Sequence, residues 1–470
     1  MNKLIWTLLL VTSFSPNFSS AETVNLSTTT VAVDSNPYWF TKWSMNDQKE
    51  KIDLKTITGY DQGLLLTFSG ADYAYLNQQV ATQFKSLGNN VFEWTYEDNK
   101  VQYKRVYDVH DHTADVSIYV QFKEKAPESA FLNVVSHAMK DDPESHYREM
   151  FYLTEGKIER FLVEKNIDPS TVSTPVKWVG AGSHYYIFTV IPETTPQKVL
   201  LEKSSTSNVQ ASMLYPVVNN VLSLKFKTVF APKNLDLLRT IDRSLDTTVD
   251  LGFFAFIAYP ILLTLKFIYK YVGNYGVAII LLTILIKLLT FPLVVKSMKS
   301  MKKMADFQPK IKALQAKHGD NKQAFNQEMM LMMKQTGYNP MAGCFPMLLQ
   351  MPIFFALYRA LDVAIELKNA PFVFWLTDLS AKDPYFITPV LMSLVMYLQQ
   401  LTTPPSPGMD PAQQKMMKFM PLIFGGFMLM TPAGLCVYML VNSIVSVLQQ
   451  KYLNKKLGVS GSAAGLATGF

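Results

Sequence analysis

Between Gly276 and Met301 the chain reads GVAIILLTILIKLLTFPLVVKSMKSM, and up to Val295 this run is apolar apart from Thr283, Lys287 and Thr290. As a helix rising about 1.5 Å per residue, Gly276 to Val295 is roughly 30 Å long, the thickness of a bilayer's hydrocarbon core. Lys287 sits near the middle, about 12 Å from the lysine-rich end, too deep to reach the surface easily along its own stem. An isolated lysine at that depth costs about 3 kcal/mol even on a lenient insertion scale. A soluble core helix with one paired lysine, or a tolerated lysine in a span, is the plainer reading. The sharper one is that Lys287 faces a watery cavity between helices and acts there.

The surrounding chain supports a membrane setting. Its 470 residues are 49% hydrophobic, but the average conceals a mixed-polar half to about residue 250 and a second half of long apolar runs. The net charge of +7 does not call for nucleic acid, because the lysines crowd beside apolar spans, as cytoplasmic loops require. Cys344 and Cys436 both fall inside predicted spans, so no disulfide framework is implied.

Residues 1–21 have a basic start, an apolar run from Leu4 to Phe14, and Ser19-Ser20-Ala21. They describe a secretory signal cleaved after Ala21, or else a retained anchor that would add a sixth helix. Either places the next segment, 22–245, outside the cytoplasm. That segment reads as an antiparallel β-sandwich. Val116, Ile118, Val120 and Phe122 alternate with polar or amphipathic residues, Leu222, Leu224 and Phe226 repeat the pattern, and Tyr185 to Ile191 is a buried-strand run. Asp98-Asn99, Gly180-Ala181-Gly182 and Pro192 are expected turns, and Asn234 is expected to cap a short helix through Leu238. His110 and His112 would share a strand face, but with no third ligand evident they read as a solvated strand end. No metal site, phosphate loop or hydrolase motif is present in the sequence.

Leu251 to Val272 is long enough to span. However, the lysine-rich loop after Val295 must be cytoplasmic, so the Gly276 helix starts outside. Segment 251–272 is therefore expected to lie in the outer interface, with Lys266 and Lys270 on its wet face. Segment 296–339 carries nine lysines and reads as a cytoplasmic helical hairpin. Its stripes are Phe307, Ile311, Leu314 and Phe325, Met329, Met332, with a Met-rich second arm suited to varied apolar partners. Met341 to Leu361 spans next, with Pro346, Gln350 and Phe354 on one face. Tyr385 to Leu401 returns, and Phe419 to Gln450, which has no charged residue, is broken by Thr431-Pro432-Ala433-Gly434 into two helices short enough to thin the bilayer. Five membrane helices result, and 454–470 is a basic, then small-residue, cytoplasmic tail.

Three stretches, GNYGVAIILLTILIKLLTFPL, NPMAGCFPMLLQMPIFFALYRAL and TPAGLCVYMLVNSIVSVLQQ, resemble the YidC membrane protein insertases of bacteria, and KWVGAGSHYYIFTVIP resembles the periplasmic domain of Gram-negative members. The resemblance implies a five-helix insertase core over 276–453 behind a periplasmic β-sandwich. It also implies a multi-pass inner-membrane protein with no enzyme chemistry and no cofactor. In the family a basic groove residue attracts the polar or acidic part of an incoming chain. Here that position is Lys287, with Thr283 and Gln350 at polar groove positions. The resemblance further implies an apolar slide at Phe354, Ile423, Phe427 and Tyr438, to which Pro346 is added from the shared helix face. Met439 departs from a tyrosine common in relatives, and lysine replaces the more usual arginine. The implied partners are nascent membrane proteins, the Sec translocon, lipid, and the ribosome through the hairpin. A solute or anion transporter is the alternative, disfavoured because no inverted repeat is seen. A passive envelope scaffold is the third reading.

Overall fold

The computed structural model describes residues 22–27, 29–33, 42–47, 50–53, 64–69, 73, 83–137, 147–163, 169–172, 175–203, 208–306, 308–319, 321–335, 341–402 and 411–457. The segment 1–21, Phe307, Asp320 and the end of the tail beyond Leu457 lie outside them, as do the side chains of Pro346 and Cys344. The chain divides into two compact units: Met1–Pro232 with Asp242–Ser244, and Lys233–Ile241 with Leu245–Phe470.

The first unit is all-antiparallel β structure in three sheets. The largest has nine strands, ordered Lys157–Leu162, Glu149–Thr154, Val176–Gly182, Tyr186–Pro192, Val221–Pro232, Thr113–Phe122, Val101–His110, Val91–Glu97 and Gln83–Gly88. A five-stranded sheet, Ser170–Val172, Lys198–Lys203, Asn208–Pro216, Ser129–His137 and Leu64–Phe68, packs on it. The strands at Glu22–Asn25, Thr29–Val33, Lys42–Asp47 and Glu50–Asp53 form a small meander. The period-2 pattern decides which side faces in. Val116, Ile118, Val120 and Phe122 are buried, as are Leu222, Leu224 and Phe226 on the neighbouring strand. Phe68 and Tyr73 reach across to Phe122 edge-on, at centroid distances of 5.8 and 4.8 Å. The expected β-sandwich is therefore what forms.

Three local expectations in this unit are corrected, the simplest being Pro192, which ends the strand Tyr186–Pro192 opposite Phe226. Gly180-Ala181-Gly182 is not a turn but the end of the strand Val176–Gly182. Its glycines answer a close approach, since a Cβ on Gly180 would lie 2.3 Å from Thr189 Cγ2 and 2.7 Å from Phe151 Cε2. Nor do His110 and His112 share a face. His110 ends its strand beside Asp108 and Asp115, while His112 lies in the turn at φ +64°, buried with Nδ1 3.2 Å from the Phe230 carbonyl.

The second unit is helical. Helix α1 (Leu235–Ile241) starts as expected at Asn234, whose Oδ1 accepts the N–H groups of Asp236 and Leu237, both at 3.0 Å. Helix α2 (Ala255–Val272) buries Ala258, Ile261, Leu262 and Leu265 and exposes Phe256, Phe267 and Tyr271. Lys270 is exposed as expected, but Lys266 is not on a wet face. It pairs with Asp236 at 2.6 Å and with Glu366 at 2.9 Å, because both carboxylates stand over the same turn of α2.

Helix α3 (Tyr275–Asp306) leads into a hairpin of α4 (Gln308–His318) and α5 (Lys322–Gln335). Ile311 and Phe325 are buried there, and Glu328 joins the arms by binding Lys317 and His318. Helix α6 (Met341–Val363), α7 (Ile387–Thr402), α8 (Pro411–Met428) and α9 (Ala433–Leu457) complete the unit. Among the described residues, Ala255–Val272, Tyr275–Lys299 and Ala433–Lys456 are long and apolar enough to cross a membrane, while Met416–Met428 is a shorter apolar stretch. The break at Thr431-Pro432 is as expected, but α9 is not short. It runs 25 residues, because a helix continues into its lysine-bearing end after the apolar run has stopped.

Candidate functional site

The opening run enters α3 at Gly276, where a Cβ would lie 1.9 Å from Phe372 Cδ2, so the helix start is pressed against the loop after α6. From there Ile279, Thr283 and Lys287 recur on one buried face, while Leu281, Ile284, Leu285, Leu288 and Leu289 are exposed. Exposed leucines on a 32-residue apolar helix face lipid or nothing stable, which leaves the Thr283–Lys287 face for the other helices. That face meets α9, and α9 also packs against α7.

Lys287 is 8% exposed, and its Nζ donates to the Ser446 hydroxyl at 2.7 Å. Ser446 Oγ donates in turn to the Asn442 carbonyl at 2.8 Å. Gln350 Nε2, on α6, donates to the Tyr438 hydroxyl at 2.9 Å and reaches Asn442 Oδ1 at 3.5 Å. Gln449 Nε2 donates to the Lys287 carbonyl at 3.4 Å. A polar line thus runs from α6 through α9 to α3 inside apolar helices: Tyr438, Gln350, Asn442, Ser446, Lys287. Thr283 donates back to the Ile279 carbonyl at 2.6 Å, which keeps its oxygen on the same face one turn from Lys287.

The structure brings together the polar residues expected from the sequence, Lys287, Thr283 and Gln350, and places Tyr438 with them. Tyr438 is fully buried and hydrogen-bonded to Gln350. Ile423 and Phe427 lie on the outer face of α8, 65% and 69% exposed. Between them Phe424 turns inward and meets Phe354 edge-on at 6.2 Å. Asn442, Ser446 and Gln449 were missed. Their signal was their spacing of i, i+4 and i+7 in a stretch with no charge.

The loop between α6 and α7 is tied to the starts of α3 and α9. The Ala433 and Gly434 N–H groups donate to the Ala381 and Leu379 carbonyls at 2.7 and 2.8 Å. These are the first donors of α9, which no helical carbonyl serves. Asn274 Nδ2 donates to the Phe372 carbonyl at 3.1 Å. Asp383, 3% exposed, accepts the Thr388 N–H and hydroxyl, both at 2.7 Å, the Tyr385 N–H at 3.0 Å and the Trp375 indole at 3.1 Å. Burial works against its charge, but those donors outweigh it and hold the carboxyl below the usual range.

A family model described as 60Kd inner membrane protein matches residues 267–459, and one described as YidC periplasmic domain matches residues 66–264. Membrane protein insertase YidC of Syntrophus aciditrophicus is 36% identical over 449 residues, spanning 91% of this chain and 79% of that protein. Its namesake in Nitratidesulfovibrio vulgaris is 44% identical over 295 residues, 60% of this chain and 54% of that protein. Among solved structures, an active YidC insertase with its first transmembrane domain resolved aligns at a TM-score of 0.41 and 15% identity, covering 93% of this chain and 95% of that one. Identity of this extent over nearly the whole length, with both family models in the expected order, means that the chain belongs to the YidC family of membrane protein insertases, inner-membrane proteins with a periplasmic domain.

Proposed function

We propose that this insertase receives the polar or acidic flank of an incoming membrane protein beside Lys287 and passes the flanking apolar segment to lipid along the α6–α8 side. The observation that carries the reading is the buried Lys287, which meets a neutral hydroxyl and no carboxylate among the described residues. A charge kept at membrane depth without a counter-ion is costly, and it is relieved when cargo brings one. In this reading Thr283 and Gln350 line the polar side, while Pro346, Phe354, Ile423, Phe427 and Tyr438 border the exit, with Tyr438 joining the two.

The topology that fits is multi-pass. The α4–α5 hairpin and the C-terminal end lie in the cytoplasm, the β-sandwich is periplasmic, and α2 rests in the outer interface. The basic, Met-rich hairpin suits contact with a ribosome or nascent chain, and the insertase works alone or beside the Sec translocon. Burial of the cargo's apolar segment drives release. An outside-positive potential adds about 2.3 kcal/mol per acidic charge moved outward at 100 mV.

The test is insertion of a single-span protein with an acidic flank by the purified chain in liposomes. Insertion above protein-free liposomes is expected, with Lys287→Ala impaired by about tenfold or more and Lys287→Arg much less so. Equal, wild-type insertion by both variants would remove Lys287 from the mechanism. An anion flux without insertion would favour a transporter.

A further inference from the structure

We infer that Ser446 is the resting partner of Lys287 and the residue that keeps the groove selective for acidic cargo. This rests on the reading of Lys287 as the charge that cargo meets.

The argument begins with donor counting. A lysine ammonium has three N–H donors. Here one goes to Ser446 Oγ at 2.7 Å, and the other two meet no protein acceptor among the described residues. The residue as a whole is only 8% exposed. The hydroxyl hydrogen of Ser446 is itself committed to the Asn442 carbonyl at 2.8 Å, so toward Lys287 its oxygen can only accept. Gln449, one turn further along α9, holds the Lys287 carbonyl at 3.4 Å, which fixes α9 against α3 at this level. The ammonium is thereby aimed at α9 and away from the exposed leucines of its own helix.

A neutral hydroxyl is well chosen for such a place. It satisfies the head enough to hold it in position, yet a carboxylate adds the attraction of a full opposite charge to the same donor's hydrogen bond. An aspartate or glutamate of the cargo can therefore take the two remaining donors or displace Ser446. A neutral polar residue of the cargo can reach the same two donors, but it brings no opposite charge and so gains no advantage over the hydroxyl already present. Selectivity for acid over neutral flanks comes from the weakness of the partner already present. Ser446 acts through Lys287 and is a positioning residue.

The experiment uses the full chain in liposomes and two single-span cargo proteins that differ only in the flank, one acidic and one neutral polar. Ser446→Asp supplies an internal counter-ion. It is expected to lower insertion of the acidic-flank protein by about tenfold or more while leaving the neutral-flank protein unchanged. Ser446→Thr, which keeps the hydroxyl, behaves as wild type. The exchange Lys287→Ser with Ser446→Lys moves the ammonium across the same contact, and it retains the preference for the acidic flank. An equal effect of Ser446→Asp on both cargoes, no effect on either, or loss of the preference in the exchange overturns the assignment. Lys287→Ala separates the two levels. If it keeps the preference for the acidic flank, the underlying reading of Lys287 fails. If it abolishes that preference while Ser446→Asp retains it, only the role of Ser446 fails.

Discussion

Asp383→Ala probes the loop between α6 and α7 where it meets the start of α7. The carboxylate accepts four hydrogen bonds, from the Thr388 N–H and hydroxyl, the Tyr385 N–H and the Trp375 indole. Two of these are capping bonds to the first backbone donors around α7, together worth about 1 kcal/mol. The indole and the hydroxyl add about 1 kcal/mol each when their shared charged acceptor goes, giving a loss of about 3 kcal/mol. For a unit of this size the unfolding midpoint in detergent should fall by roughly 6–12 °C. Asp383→Asn keeps one acceptor oxygen and should lose about half as much.

The sign with pH follows from the lowered carboxyl. A group held below its unfolded value of about 3.9 contributes fully above that value, and the contribution fades as pH falls through the lower folded value. The gap between wild type and Asp383→Ala should therefore be flat above about pH 5 and narrow below about pH 4. Thermal unfolding of both proteins across that range is the assay. A midpoint unchanged by Asp383→Ala, or a gap that widens on acidification, would refute the reasoning.

Three further outcomes are expected. Gly276→Ala places a methyl where the Phe372 ring already stands, 1.9 Å from Cδ2, so it should cost about 1–3 kcal/mol, read as a lower unfolding midpoint. Lys266→Ala leaves Glu366 half-stranded beside Asn234 and should cost about 1–2 kcal/mol, less than a fully buried pair, with new protease cleavage near α2 as the readout. Hydrogen bonds from Lys317 and His318 hold the Glu328 carboxyl below its usual range. That clasp is present above the ordinary glutamate value and is lost as pH falls through the lowered one. Glu328→Gln should accordingly speed amide exchange in α4 and α5 at neutral pH and make no difference in strong acid.

The β-sandwich was legible because alternation has one solution. Moving Val116, Ile118, Val120 and Phe122 by one residue would put every one of them in water. Gly180 was misread because glycine signals a turn and a close approach equally, and only the neighbouring Phe151 and Thr189 distinguish them. Lys266 was misread for a related reason. Its partners, Asp236 and Glu366, are 30 and 100 positions away, and no periodicity reports a contact at that distance. The depth of Lys287 could be read from its position in the run alone. What it touches could not, although the Asn442, Ser446, Gln449 stripe was visible to anyone asking which polar residues share a face in a chargeless helix. The length of α9 was underestimated because a hydropathy boundary marks where lipid ends, not where a helix does.

The stitching of Ala433 and Gly434 to the loop carbonyls has a consequence for what the insertase can carry. With the start of α9 tied to that loop, a flank lifted to the depth of Lys287, as proposed, would meet a helix start whose backbone is already bonded. Its proposed way out would pass helices whose apolar reach is short, α7 with 16 residues and the Met416–Met428 part of α8. Each polar residue on that detour pays separately for leaving water. A brief flank crosses as one desolvated packet, whereas the penalty for a long one grows with every residue. On the proposed route, cargo with a short outward-bound tail would therefore be favoured over cargo with a long one.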